Sequence, residues 1–356
     1  MRCLLLLLVL IMTGCTTPNE APQEAATWPN PRWVAQESGT DALIIGMHAV
    51  DENVVWASGQ QGTFVRTTDG GETWDAGVVP DADALEFRDV HGIDASTAYL
   101  LSAGTGEASR IYKTTDAGDT WALQYVNDEP EGFFDCMSFW DAERGIAMSD
   151  AVDGEFILIA TEDGGTTWTR INPAIVPDAF PGEGSFASSG TCLITKPGGH
   201  VWFGTGASGV ETRIISSADY GQTWQVSGTP LPSDTPSSGT YSLAFWDLDH
   251  GLALGGDYAR PDTLLPSVAY TEDSGKTWQL TDSFPLKGSV FGSSIVPGMP
   301  TPTVVAVAPT GSAYSYDGGH TWATLDTLNY WTVAFAGDDI GWAGGPSGRI
   351  VRFAAE

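Results

Sequence analysis

The stretch TTDGGETW at 67–74 decides the architecture, because it comes back five more times. It returns as TTDAGDTW (114–121), TEDGGTTW (161–168), SADYGQTW (217–224), TEDSGKTW (271–278) and SYDGGHTW (315–322). The shared form is Ser or Thr, any residue, Asp, any residue, Gly, any residue, Thr, Trp. Its aspartates are Asp69, Asp116, Asp163, Asp219, Asp273 and Asp317, spaced 47, 47, 56, 54 and 44 residues apart. Repeats at such a period identify stacked supersecondary units.

The motif reads as a structural corner. Asp accepts hydrogen bonds from backbone N–H groups in a tight turn. The Gly two positions later is free to take positive φ. Trp brings a large apolar face and one N–H that needs a partner, which suits packing between sheets. One carboxylate per turn is no ligand cluster, and nothing has the dense Asp spacing of a calcium loop. No metal and no cofactor is expected.

Between the boxes each repeat has one grammar. In the third, an apolar run ends at Phe139-Trp140, a turn occupies 141–145, and a second strand begins at Ile146-Ala147-Met148. A third strand, Phe156 to Ile159, leads into the box, and a fourth begins at Thr169-Arg170-Ile171. Four short antiparallel strands per repeat describe a propeller blade. Six blades carry a box. A seventh is incomplete at the C-terminus, with strands at 331–335, 340–343 and 349–353. Arg32-Trp33-Val34-Ala35-Gln36 resembles the segments just after a box in the other repeats, so it is expected to supply the missing outer strand. The expected fold is all-β: a seven-bladed propeller of four-stranded antiparallel blades, closed by the N- and C-terminal strands in one blade. Such closure removes open sheet edges.

The propeller is assigned to 32–356, preceded by a signal segment at 1–14 and a flexible tether at 15–31. Arg2 and the apolar run Cys3–Met12 form a targeting segment too short for a permanent span. The run ends in Met12-Thr13-Gly14-Cys15, which resembles the lipobox of bacterial lipoproteins, with Cys15 as the lipidated residue. That resemblance implies a membrane anchor through the lipid on Cys15. The chain would then sit in the cell envelope: at the outer membrane or periplasmic face, or at the cell surface where there is one membrane. Residues 16–31, rich in Pro, Ala, Thr and Glu, cannot bury enough apolar surface to order themselves. The formal net charge of −30, with only 15 Lys and Arg in 356 residues, excludes nucleic acid, whose phosphates demand basic residues. The partner or substrate class left is basic or neutral.

The boxes, the lipobox, Phe87-Arg88-Asp89-Val90 at the opening of a blade and the ending GPSGRIVRF (345–353) resemble the Ycf48-like photosystem II assembly factors. These belong with the wider Asp-box (BNR-like) propellers that include sialidases. The resemblance implies a non-enzymatic scaffold that holds a client protein during assembly. The family's arginine-rich patch has no counterpart among the 15 basic residues here, so the resemblance carries the fold over well and the photosynthetic role poorly. The alternative is a glycan-processing hydrolase of the sialidase-like type, although the Arg-Ile-Pro segment of sialidases is absent.

All boxes fall on one rim of such a ring, and the long loops fall on the other: 79–86, 102–109, 173–185, 228–239 and 255–266. Rigid rings carry function on such loops. The binding candidates on that rim are Arg88, His91, Asp135, Asp150, Glu183, Arg213, Tyr241, Asp257, Tyr258 and Arg260. A hydrolase would show two carboxylates about 5–10 Å apart in a pocket, at least one with a shifted pKa; a scaffold would show a broader surface. His48 and His91 occupy matching places in adjacent blades. Cys136 and Cys192 fall in first strands of consecutive blades, either bridged across the interface or as two separate buried thiols.

Overall fold

The structure, a computed structural model, describes residues 27–355. It contains seven four-stranded sheets and, among the described residues, no α-helix. Within each sheet the strands run in chain order, antiparallel throughout, as in Ile44–Ala49, Val55–Gly59, Thr63–Thr67 and Asp75–Val78 of the first blade. The seventh sheet breaks that order. Its outer strand is Pro31–Gln36, paired with Ile350–Ala355 from Pro31 opposite Ala355 to Gln36 opposite Ile350. Both chain ends thus close the ring, as the sequence suggests.

The fold starts before Arg32. Trp28, placed in the tether by composition, is buried against Tyr314, Tyr316, Phe335 and Phe353. Its indole N–H donates to the Asp338 carbonyl at 2.5 Å, and its amide to the Tyr316 hydroxyl at 2.7 Å. Tyr316 lies in the sixth box and Asp338 in the turn between the first two strands of blade seven, so the chain enters the ring on the box rim. The candidate lipidation residue Cys15 and most of the tether lie outside the described residues.

Each box is a closed hydrogen-bond unit. In the first, Thr67 donates to Asp69 Oδ1 at 2.7 Å and accepts the Gly71 N–H at 2.9 Å. Thr73 gives its amide to Oδ1 and its hydroxyl to Oδ2. The third box repeats the four bonds within about 0.2 Å. The geometry explains why the motif needs a hydroxyl, a carboxylate and a second hydroxyl at these offsets. The core lies between blades, where Trp56 and Phe64 of blade one meet Phe87, Val90, Leu100 and Tyr112 of blade two. Each large side chain so buried contributes about 2 kcal/mol. Cys136 in blade three and Cys192, just before Leu193–Lys196 of blade four, form a disulfide.

Candidate functional site

The first strands of all seven blades line a central channel. Its lower part, toward the boxes, is a cavity of about 490 Å³ bounded by residues such as Met47, His91, Phe139, Ile194, Phe245, Ile295 and Phe335. Its mouth on the opposite rim is a second cavity of about 510 Å³. The segment Ser185–Thr191 runs between the two: Ser185–Ser188 line the mouth and Ser189–Thr191 the lower part. This strap is an insertion that repeat periodicity does not contain.

Its small polar residues explain how it stays there. Ser188 and Ser189 both donate to the Phe291 carbonyl of blade six, at 2.8 and 2.7 Å. Hydroxyls continue from Ser189 through Thr191 and Ser242 to Ser293. Arg88 of blade two donates to the Ala187 carbonyl, and Asp150 of blade three accepts the Ser185 N–H at 2.8 Å. Gly190 has φ +82° and lies so close to Asp89 that a Cβ would overlap its carboxyl. Only glycine combines that backbone angle with that approach.

The mouth is aromatic on one side and acidic on the other. Phe186 stacks on Tyr241 with centroids 4.0 Å apart and planes at 7°, and Tyr241 continues to Phe291 at 5.9 Å. Tyr258 meets Phe186 edge-on, and Trp331 meets Phe291 the same way. Opposite stand Arg88, Asp135 and Asp150. The Asp135 and Asp150 carboxyls are in hydrogen-bond contact with each other. Burial, and then the Asp150 charge, pushes Asp135 well above the carboxylate range. Burial pushes Asp150 up to about 6. Two such groups share one proton rather than ionise together. Arg88 pulls Asp135 down only in part, because its Nε and Nη2 donate to Glu86 at 3.0 and 2.6 Å.

Five of the ten residues singled out in the sequence therefore line the mouth: Arg88, Asp135, Asp150, Tyr241 and Tyr258. Four others hold loops instead. Glu183 and Arg213 form a buried pair, with the guanidinium over the Phe180 ring and donating to the Asp178 carbonyl. Asp257 is saturated by Ser237, Thr235, the Ala259 amide and Arg260, and Arg260 also binds Asp234. His91 lies in the lower cavity, stacked on His48 at 4.3 Å. Desolvation pushes His48 down to about 4 and His91 well below its usual value, so both rings are neutral. Among the described residues no group of three or more His, Cys, Asp or Glu is placed to hold a metal ion. Sequence reasoning missed the aromatics Phe133, Phe186, Phe291 and Trp331. Trp331 obeys a hydrophobic rule of its own, an aromatic at a first-strand start, but Phe186 sits in a stretch with no period.

No family model and no curated protein matches the chain. Solved structures do. YCF48 bound to D1 peptide superposes with a TM-score of 0.63 at 18% identity, covering 93% of this chain and 99% of that one. YCF48 from Cyanidioschyzon merolae gives 0.60 at 15%, covering 90% and 98%. The WD40 β-propeller domain of Doa1 gives 0.57 at 14%, covering 93% and 98%. The likeness is one of fold. It extends over nine-tenths or more of the chain, and identities this low carry the propeller and nothing finer.

Proposed function

We propose that this chain is a lipid-anchored binding or assembly scaffold of the cell envelope that presents its loop-rich rim to a protein partner. The observation that carries the reading is the mouth cavity: concave, lined by six aromatic rings, closed below by the strap, and set on the rim opposite the boxes. Pockets of this size and character bind groups from a ligand. At its edge Tyr258 is an exposed aromatic side chain that also lines the cavity. The fold likeness to a YCF48 structure that holds a peptide supports a protein partner. The anchor rests on Met12-Thr13-Gly14-Cys15.

A photo-crosslinking residue placed at Tyr258 is expected to capture a partner from native membranes, while one at Glu72 in the first box captures none of it. Identical products from both positions would refute a mouth-side scaffold. Substituting Cys15→Ala tests the anchor, which predicts release of the chain from membranes.

One observation favours the hydrolytic alternative: a proton-sharing carboxyl pair in a cavity. The pair is in direct contact, whereas glycosidases hold theirs about 5 Å apart or more. Sugar release from envelope glycans that Asp150→Asn abolishes would move the assignment to that reading.

A further inference from the structure

We propose that the mouth cavity takes an alkylammonium group, presented as a lysine side chain of the partner, between the Asp135–Asp150 pair and the aromatic wall. The inference deepens the scaffold reading and rests on it for the partner being a protein.

Three observations converge. First, the carboxyls of Asp135 and Asp150 meet at the cavity wall, where a single shared proton bridges them. Asp135 is 1% exposed, and its Oδ2 has no donor partner among the described residues. A buried acceptor without a donor is costly. Either one shared proton or an external group with several N–H donors resolves the contact, and an ammonium has three. Second, the opposite wall offers ring faces. Phe186, Tyr241, Tyr258, Phe291 and Trp331 form a chain of ring contacts around the cavity. Aromatic walls hold desolvated cations by ring quadrupole attraction and hold their methylene stems by burial. Third, the fixed cation nearby, Arg88, is paired with Glu86 and offsets the acid pair only in part. The site thus carries the negative charge of the acid pair, in a chain of net charge −30 that favours approach of cations.

An anionic ligand fits none of this, because it would meet the acid pair with only a committed arginine to receive it. A neutral apolar ligand would fill the aromatic half and leave Asp135 Oδ2 as it is. Ammonium satisfies both halves at once. The proton shared by the carboxyls leaves to solvent as the cation arrives, so no other reactant is needed.

The test is calorimetric titration of the full chain with three blocked tripeptides, acetyl-Gly-X-Gly-amide with X as lysine, norleucine or glutamate, and with n-butylamine. The lysine peptide is expected to bind, with norleucine and glutamate weaker by roughly tenfold or more. Asp150→Asn is expected to weaken the lysine peptide by about tenfold. It should leave the melting temperature near wild type, because its amide oxygen still accepts the Ser185 N–H. Tyr258→Ala is the second variant, with a smaller loss. Butylamine binding as well as the lysine peptide assigns the source to a small amine, and tighter peptide binding assigns it to a chain; both keep the ammonium site. Equal affinity for norleucine, preference for glutamate, binding indifferent to Asp150→Asn in a folded variant, or no binding of any probe would each overturn it. If crosslinking at Tyr258 still captures a partner in those cases, the scaffold survives and only its ligand chemistry falls. If lysine binds and crosslinking yields nothing, the reverse holds.

Discussion

The box rim and the central channel of this ring use the same acidic residue and treat it in opposite ways. On the box rim Asp69 is exposed and surrounded by donors, and the Thr73 hydroxyl, the Thr73 amide and the Thr67 hydroxyl hold its carboxyl down at about 2. Beneath the strap Asp89 is buried, and desolvation pushes it up to about 7 against the pull of the Met137 and Val90 amides. The same contrast separates Asp116 and Asp163 from Asp135 and Asp150. Six near-identical corners with every carboxylate satisfied make a frame. One aperiodic strap with underserved carboxyls makes a site. Repetition solves stability once and copies the solution, and departures from it mark where the molecule does something else.

The strongest way to break this contrast is to remove the tie at the edge of the site, the bridge between Cys136, next to Asp135, and Cys192, next to the strap. Cys136→Ala with Cys192→Ala opens a loop with a sequence separation of 56 residues, and the chain-entropy relation predicts a loss of about 4 kcal/mol, read by urea denaturation under oxidising conditions. A wild-type midpoint would mean the bridge adds nothing to the frame. Next comes Gly190→Ala, which combines a left-handed backbone with a carboxyl in the way. A loss of about 3 kcal/mol is expected, with hydrogen exchange rising first in residues 185–191 and not in the boxes.

The pH response sharpens the contrast further. Asp89 has a folded pKa raised above its unfolded one, so its contribution is fully present below pH 3.8 and is lost as the pH rises through about 7. Between pH 5 and 8 the wild type should lose about 2 kcal/mol more than Asp89→Asn. Box aspartates act in the reverse sense: their contribution is present above the unfolded value and fades as the pH falls toward about 2. A variant with the wild-type slope between pH 5 and 8 would show that Asp89 is not the group responsible. The box rim makes a smaller prediction. Thr67→Val and Thr161→Val each strand a buried glycine N–H, at about 1 kcal/mol apiece, and the double variant should lose the sum. At the small end, Tyr258→Ala should change stability by less than about 0.5 kcal/mol, since its ring is 55% exposed; its effect belongs to binding.

Those differences also explain how much is legible in the sequence. The box spells out its own geometry, because Thr67, Asp69, Gly71 and Thr73 bond within seven residues. Blade number and closure emerge from counting boxes and noticing that Arg32–Gln36 lacks one. Trp28 escapes because a tether-like composition surrounds it, while its partners lie some three hundred residues away. In the site, the acids and tyrosines stand out as polar residues at loop bases. Glu183, Arg213, Asp257 and Arg260 look equally promising there, since a clamp and a ligand group share a residue type and differ only in whether a partner in the fold has already taken them. The strap is invisible as a strap: Ser-Phe-Ala-Ser-Ser-Gly states no period, and its bonds reach blades two and six, about a hundred residues away in either direction.

Trp28 fixes one thing more. It is moored on the box rim, so whatever holds residue 15 holds the ring by that side. Twelve residues lie between Cys15 and Trp28, a leash of at most about 45 Å when fully stretched. Were a lipid at its end, the ring would be tied to the bilayer by its box rim and kept within that reach of it.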